Sequence, residues 1–301
     1  MKSIYKTVNG LLKQYDFNID DIQIVSKNVD VVFKVIAKGD SYCFKLYNSA
    51  YDRLVFGHRL KSVVSLVAEM EYLEKLHKYL ENEKIIIQKP IKTQNDLYLA
   101  EVNGKLATLT TWIDGDLASE VDLIESDYIE IGRVIGLMHK FCKYSGFKLQ
   151  TERDYFDKQR LVAFFKNIAL GNKSLIYSDK VFRRASEWRD ELEILLQDES
   201  RDEFGIIHGD FYSYNLVKTV NNQLSPIDFG LCTYGFYCQD LASICNEMRD
   251  DTYEKAFLKS YEETVENYVS QERVLALKKY LTLMYLAANY KNADNYEWIL
   301  C

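Results

Sequence analysis

His208-Gly209-Asp210-Phe211-Tyr212-Ser213-Tyr214-Asn215, with Pro226-Ile227-Asp228-Phe229-Gly230 a short way downstream, is the densest run of chemically unusual residues in the chain. The apolar pair Ile206-Ile207 leads into the first segment and predicts a short strand that delivers Asp210 into a loop. Asn215 follows five positions on, and a second apolar run, Leu224 to Ile227, delivers Asp228 in the same way. Two carboxylates and one amide oxygen set at strand ends are the groups that phosphoryl transfer asks of a protein. One carboxylate accepts or orients the attacking hydroxyl, while the second carboxylate and the amide oxygen hold magnesium against the phosphates.

Upstream, the first third of the chain reads as strands. Ile22 to Val25, Val31 to Ile36 and Tyr42 to Tyr47 are short runs rich in β-branched and aromatic residues, and Gly39-Asp40 signals a hairpin between the second and third. Val63, Val64, Val67, Met70, Leu73, Leu76 and Leu80 recur at three- and four-residue steps, which predicts a helix. Leu97 to Val102 and Lys105 to Ile113 return to the strand pattern, joined by Asn103-Gly104, a type I′ turn signal. From Asp114-Gly115 onward the pattern turns helical. Ile129, Ile131, Val134, Ile135, Met138 and Phe141 make one apolar stripe, with Gly132 and Gly136 leaving room for a close neighbour. Residues 154–169 and 179–197 predict two charge-rich helices, and helices resume from Asp240. The change near Ile113 divides the chain into a unit over 1–113 and a unit over 114–301.

Composition agrees with that division, since 301 residues suffice for two units that each bury a core. A net charge of −7 argues against a nucleic-acid binder, which needs a basic face, and leaves locally held nucleotides open. The charged opening Met1 to Lys6 lacks the apolar core of a signal peptide, and the apolar stretch Tyr280 to Ala288 is too short to span a bilayer. The six cysteines form no C-x-x-C pair and the four histidines do not flank them at zinc-ligand spacing. The expectation is a cytoplasmic protein with reduced core thiols and neither a nucleic-acid nor a membrane partner.

The H-G-D-x-x-x-x-N and I-D-F-G pair resembles the aminoglycoside phosphotransferase and choline kinase superfamily, relatives of the protein kinases. The resemblance implies an α+β, bilobal protein-kinase-like fold. Its small N-terminal lobe would carry a five-stranded antiparallel sheet plus one helix and bind the nucleotide. The larger, mainly helical C-terminal lobe would carry catalysis and the substrate site. By position, Asp210 would be the catalytic base, with Asn215 and Asp228 the magnesium ligands. Tyr42-Cys43-Phe44-Lys45-Leu46-Tyr47 supplies Lys45, on the third predicted strand, for the α- and β-phosphates of ATP or GTP. Taken alone, Lys45 reads as an edge-strand lysine facing water; the motif context assigns it to the phosphates. Glu69 on the following helix fits the family's E-x-x-x-L pattern through Leu73 and would orient Lys45, whereas Glu71 and Glu74 belong to a solvated face.

Other elements of the pattern are weaker. No G-x-G-x-x-G is present, and Ser26-Lys27-Asn28-Val29-Asp30-Val31 stands in its place. Thr111-Trp112-Ile113-Asp114-Gly115 falls where the family joins its lobes; Trp112 is equally a core aromatic or an adenine neighbour. His139 reads as a structural histidine, His208 as a brace of the catalytic loop, and Asp240 as the N-cap of the helix beginning at Leu241.

Two departures separate the chain from eukaryotic-type protein kinases. Gly209 stands where those enzymes have Arg, and no A-P-E follows Asp228-Phe229-Gly230. A small-molecule hydroxyl is therefore the better acceptor. An antibiotic, choline or ethanolamine, homoserine and a sugar all remain open, as do a stress-response or spore-coat type protein kinase and a non-catalytic binding protein of the same fold. The acidic residues Glu247, Asp250, Asp251, Glu262, Glu263, Asp294 and Glu297 would steer a cationic acceptor if they faced the cleft. The 23 tyrosines would equally serve an aromatic box for a quaternary amine.

Overall fold

The computed structural model describes residues 2–27, 30–47, 62–196, 203–248 and 250–300. It opens with helix α1 (Lys2–Leu12) and three strands, β1 (Ile19–Lys27), β2 (Val31–Ala37) and β3 (Asp40–Leu46). Helix α2 (Val63–Asn82) follows, then the two-residue β4 (Pro90–Ile91), β5 (Ala100–Val102) and β6 (Lys105–Thr111). The strands form one antiparallel sheet in the order β1-β2-β3-β6-β4, with β5 also paired to β6. Two hairpin turns have both central residues at positive φ, as a type I′ turn requires: Lys38-Gly39 (54° and 86°) and Asn103-Gly104 (51° and 70°).

Period-two alternation sorts the sheet's side chains. Phe33, Val35, Phe44, Leu46, Ala107 and Leu109 are buried on one face, where Val8, Leu11 and Leu12 of α1 close the core. Lys45, next to Phe44, points the other way. The sheet therefore has six strands where five are expected, and two helices accompany it rather than one. Helix α1 escapes a propensity reading because β-branched residues and Gly10 interrupt it; packing on the sheet stabilises it. Strand β4 is too short to leave a period. Leu97 to Leu99 lie outside β5, in and beside a turn closed by Thr93 N–H donating to Leu97 O at 2.8 Å.

The chain continues through β7 (Gly115–Leu117), α3 (Glu125–Tyr144), α4 (Lys158–Lys173) and α5 (Asp179–Leu195). Next come β8 (Phe204–Ile207), β9 (Leu216–Thr219), β10 (Leu224–Pro226) and β11 (Thr233–Phe236), then α6 (Tyr237–Cys245), α7 (Asp251–Val265) and α8 (Gln271–Ala288). β10-β9-β7 form one small antiparallel sheet, and β11 pairs with β8 in another. The glycines of α3 admit α7: a Cβ on Gly132 would sit 2.4 Å from Phe257 O, and one on Gly136 would sit 2.7 Å from Thr264 Cβ. Helix α2 turns its apolar stripe toward the helical core, where the buried Tyr72 ring meets Phe141, Phe147 and Phe229. The architecture is α+β, as expected, with an antiparallel sheet at the N-terminal end and a helical remainder. Among the described residues, no helix is long and apolar enough to cross a membrane.

Candidate active site

β8 ends at Ile207, and the chain turns sharply through His208 and Gly209. Gly209 has φ +79°, and a Cβ there would meet Leu231 O at 2.7 Å, so only glycine fits. Asp240 holds this turn from inside α6. Its Oδ2 accepts the His208 backbone N–H at 2.8 Å and its Oδ1 accepts that of Gly209 at 2.9 Å. Asp240 lies in the first turn of α6, whose N-cap is Phe236, so the expected capping role is incorrect. An acidic residue near a helix start satisfies the capping pattern, but here its acceptors are used by a distant loop.

The two histidines complete the brace. His208 Nε2 donates to Ile227 O at 3.0 Å, which leaves Nδ1 to accept the Asp210 N–H at 3.3 Å. His139 Nε2 donates to Asp240 Oδ2 at 3.2 Å, and its Nδ1 accepts from the Tyr261 hydroxyl at 3.0 Å. Both rings are thus tied down in the interior.

Asp210 is presented just beyond. Asn215 Nδ2 donates to Asp210 Oδ2 at 2.8 Å and to its carbonyl at 2.9 Å, while the Tyr214 phenol donates to Oδ1 at 2.8 Å. Burial raises the Asp210 carboxyl above the usual range, against the lowering effect of these donors and of nearby His208.

Asp228 follows β10 in a left-handed conformation, φ 57° and ψ 71°. Lys45 Nζ donates to its Oδ1 at 2.7 Å, as does the Gly230 N–H at 3.2 Å. Desolvation pushes Asp228 up, but the Lys45 charge and hydrogen bond outweigh it and bring the carboxyl to about 2. For Lys45, burial opposes the ammonium; the attraction of Asp228, aided by Tyr47, Glu69 and Asp30, raises its pKa well above the ordinary lysine value. The buried Asp30 carboxylate lies 3.9 Å from the same nitrogen. Residues 28 and 29 of the expected nucleotide loop lie outside the described residues.

Glu69 is buried close enough to act on Lys45 electrostatically, but its ion-pair partner is Arg153. The Arg153 guanidinium also donates to Phe229 O at 3.2 Å and Cys232 O at 2.8 Å. A carboxylate expected on Lys45 is thus taken by an arginine from the loop before α4, because that arginine reaches both α2 and the segment after Asp228.

Lys45, Asn215 and Asp228 stand together in a cleft of about 550 Å³ whose apolar lining includes Val25, Val32, Trp112, Ile113, Val217 and Ile227. Trp112 belongs to the cleft wall, with the Lys34 ammonium 4.7 Å above its ring. Asn215 spends its Nδ2 on Asp210, and its Oδ1 takes no donor among the described residues. That oxygen and the half-exposed Asp228 carboxylate form a hard donor pair suited to magnesium shared with phosphates. Among the described residues no cluster of three His, Cys, Asp or Glu side chains forms a metal cage, which a phosphate-shared ion does not require.

The acidic residues downstream mostly contact residues away from the cleft lining. Asp250 caps α7, Glu262 accepts from Val269 N–H, Glu263 lies 3.8 Å from Lys259, and Glu297 accepts from Ser178. Glu247 alone of the group contacts the loop from Asp210 to Asn215, taking Ser213 N–H at 2.8 Å and Oγ at 3.0 Å. Tyr214 and Arg153 have no place in the sequence reading. Tyr214 stands at a variable position inside the motif, and Arg153 lies in a loop with no period to single it out.

A family model described as "Phosphotransferase enzyme family" matches residues 21–273. No curated protein matches the sequence. Among solved structures, the chain is similar to an amicoumacin kinase in complex with AMP-PNP, Ca2+ and Ami, at TM-score 0.71 and 16% identity over 95% of this chain and 84% of that one. A microcompartment-associated aminopropanol kinase aligns at TM-score 0.73 and 15% identity, over 98% and 92% of the two chains. The GDP and kanamycin complex of APH(2″)-IIIa aligns at TM-score 0.61 and 10% identity, over 94% and 90%. With a family model spanning most of its length and a fold to match, the chain belongs to the phosphotransferase enzyme family.

Proposed function

We propose that the protein transfers the terminal phosphoryl group of ATP or GTP to a hydroxyl of a small molecule, with Asp210 as base. The observation that carries this reading is the convergence of Lys45, Asn215 and Asp228 at one cleft, with Asp210 hydrogen-bonded to Asn215. Asp210 takes the acceptor's proton as the acceptor oxygen bonds to the terminal phosphorus and the bridging bond to the nucleoside diphosphate breaks. Lys45 leaves Asp228 to hold the α- and β-phosphates. Glu69 acts on Lys45 through the local field, and Arg153 fixes the segment that carries Asp228. Magnesium would be held by Asn215 and Asp228, where it neutralises phosphate charge.

The nucleotide would lie between a unit over 1–113 and one over 114–301, with Trp112 and Ile113 at the join. The described cysteines are free thiols, which suits a cytoplasmic enzyme. A cationic acceptor is supported only by Glu247 near Asp210. Aminopropanol, amicoumacin and kanamycin, the compounds named for the similar structures, lead the acceptors to be tried.

The test is magnesium-dependent consumption of ATP and GTP with a panel of aminoglycosides, aminopropanol, choline, homoserine and a generic protein. One acceptor class is expected to stimulate consumption, and Asp210→Asn is expected to lose at least 10²-fold in kcat while nucleotide Kd is unchanged. Turnover that survives in Asp210→Asn would sink the assignment.

A further inference from the structure

Each oxygen of the Asp210 carboxylate already accepts one side-chain hydrogen bond. Asn215 Nδ2 holds Oδ2 at 2.8 Å and, through a second bond of 2.9 Å to the Asp210 carbonyl, prevents the carboxylate from rotating away. Oδ1 is therefore the oxygen left for an incoming hydroxyl, and the Tyr214 hydroxyl sits on it at 2.8 Å. This phenol is well held. Its ring stacks on Tyr212 with centroids 5.3 Å apart and planes 10° from parallel. Ser213 between the two tyrosines is pinned by Glu247 through both its N–H and its Oγ. Yet Tyr214 is no core residue: it is 46% exposed and lines the cleft beside Asn215 and Asp228.

We propose that Tyr214 is a positioning residue that stands in for the acceptor hydroxyl. It occupies Oδ1 of Asp210 until an acceptor displaces it, and so keeps water from being activated there. The inference rests on Asp210 being the base. With the phenol gone, water takes the vacated place. Its proton passes to Asp210, its oxygen bonds to the terminal phosphorus, and the bridging P–O bond breaks to leave nucleoside diphosphate and inorganic phosphate. A small hydroxyl such as water brings no other contact with which to compete, whereas a true acceptor is held by the rest of its surface. A hydrogen bond to a charged group is worth roughly ten- to a hundredfold in occupancy, and this factor sets the discrimination against water.

The hydrolysis measurement needs no acceptor; transfer is followed with the acceptor that the panel above identifies. Phosphate release from magnesium-ATP and magnesium-GTP is measured for the wild type, Tyr214→Phe, Asp210→Asn and the double variant, with thermal melts to show that each is folded. Tyr214→Phe is expected to release phosphate roughly ten- to a hundredfold faster than wild type at unchanged nucleotide KM, and the double variant to fall back to the Asp210→Asn level. A readout apart from turnover is the 13Cζ tyrosine spectrum: the resonance absent from Tyr214→Phe is expected to shift in Asp210→Ala. Hydrolysis unchanged in Tyr214→Phe, or equally fast in the double variant, overturns the proposal. If acceptor-dependent transfer is lost in Asp210→Asn and Tyr214→Phe shows no acceleration, only the role of Tyr214 falls. If transfer survives in Asp210→Asn, the assignment of the base falls with it.

Discussion

Asp240 shows how one enclosed carboxylate can organise a site it never enters. It is fully buried and takes three donors: the backbone N–H groups of His208 and Gly209, in the turn before Asp210, and the His139 imidazole. An amide of the same shape must turn an NH2 group toward one of those donors. Asp240→Asn is therefore expected to cost about 1–3 kcal/mol of stability, read by urea melts. It is also expected to lower kcat with nucleotide Kd unchanged, because the loosened turn carries Asp210 and not Lys45. That Asp210 and Asn215 share one loop was legible in the sequence, since a fixed spacing is local information. The sequence left Asp240 ambiguous because helix capping and a long-range anchor look alike in a string of residues.

Among the elements, α2 is the one whose attachment decides the geometry. Its Glu69 is paired with Arg153 in the interior, and the same guanidinium ties the carbonyls of Phe229 and Cys232. Removing one member of a buried pair strands the other charge, so Arg153→Ala is expected to destabilise the protein by about 3–5 kcal/mol. Replacing both, as Glu69→Met with Arg153→Leu, is expected to recover much of that loss in urea melts while nucleotide affinity stays impaired. Full stability in Arg153→Ala would contradict this account. No reading of the chain could have found the pair, because the two residues lie 84 positions apart and leave no local trace. Strands and helices with a clear period were legible; α1 and β4 were not, since tertiary packing rather than propensity forms the first and the second is only two residues long.

On the scale of the whole molecule, tyrosine is the main interior titrant. Tyr72, Tyr177, Tyr261 and Tyr280 are buried in the helical core, and desolvation, the leading cause for each, raises all four above the ordinary phenol value. A raised folded-state pKa means that the folded form keeps its protons when the unfolded chain has lost them. The stability these tyrosines contribute is therefore complete below the unfolded value near 10 and falls as pH rises beyond it, by up to about 1.4 kcal/mol per pH unit for each such group. Melting temperatures between pH 8 and 11 are expected to stay level and then drop steeply, with phenolate absorbance rising together with unfolding; absorbance rising well before unfolding would contradict the burial argument. The composition showed many tyrosines but not which were interior, because solvent exposure is settled only by the packed fold. The Lys45–Asp228 contact carries a consequence for the two ligands it would receive. A phosphate that draws Lys45 away frees Asp228, and a cation that occupies Asp228 frees Lys45. With Lys45 and Asp228 in the roles proposed above, nucleotide and metal would be thermodynamically linked through one shared ion pair, each tightening the other by the same factor, and neither alone would find its site fully open.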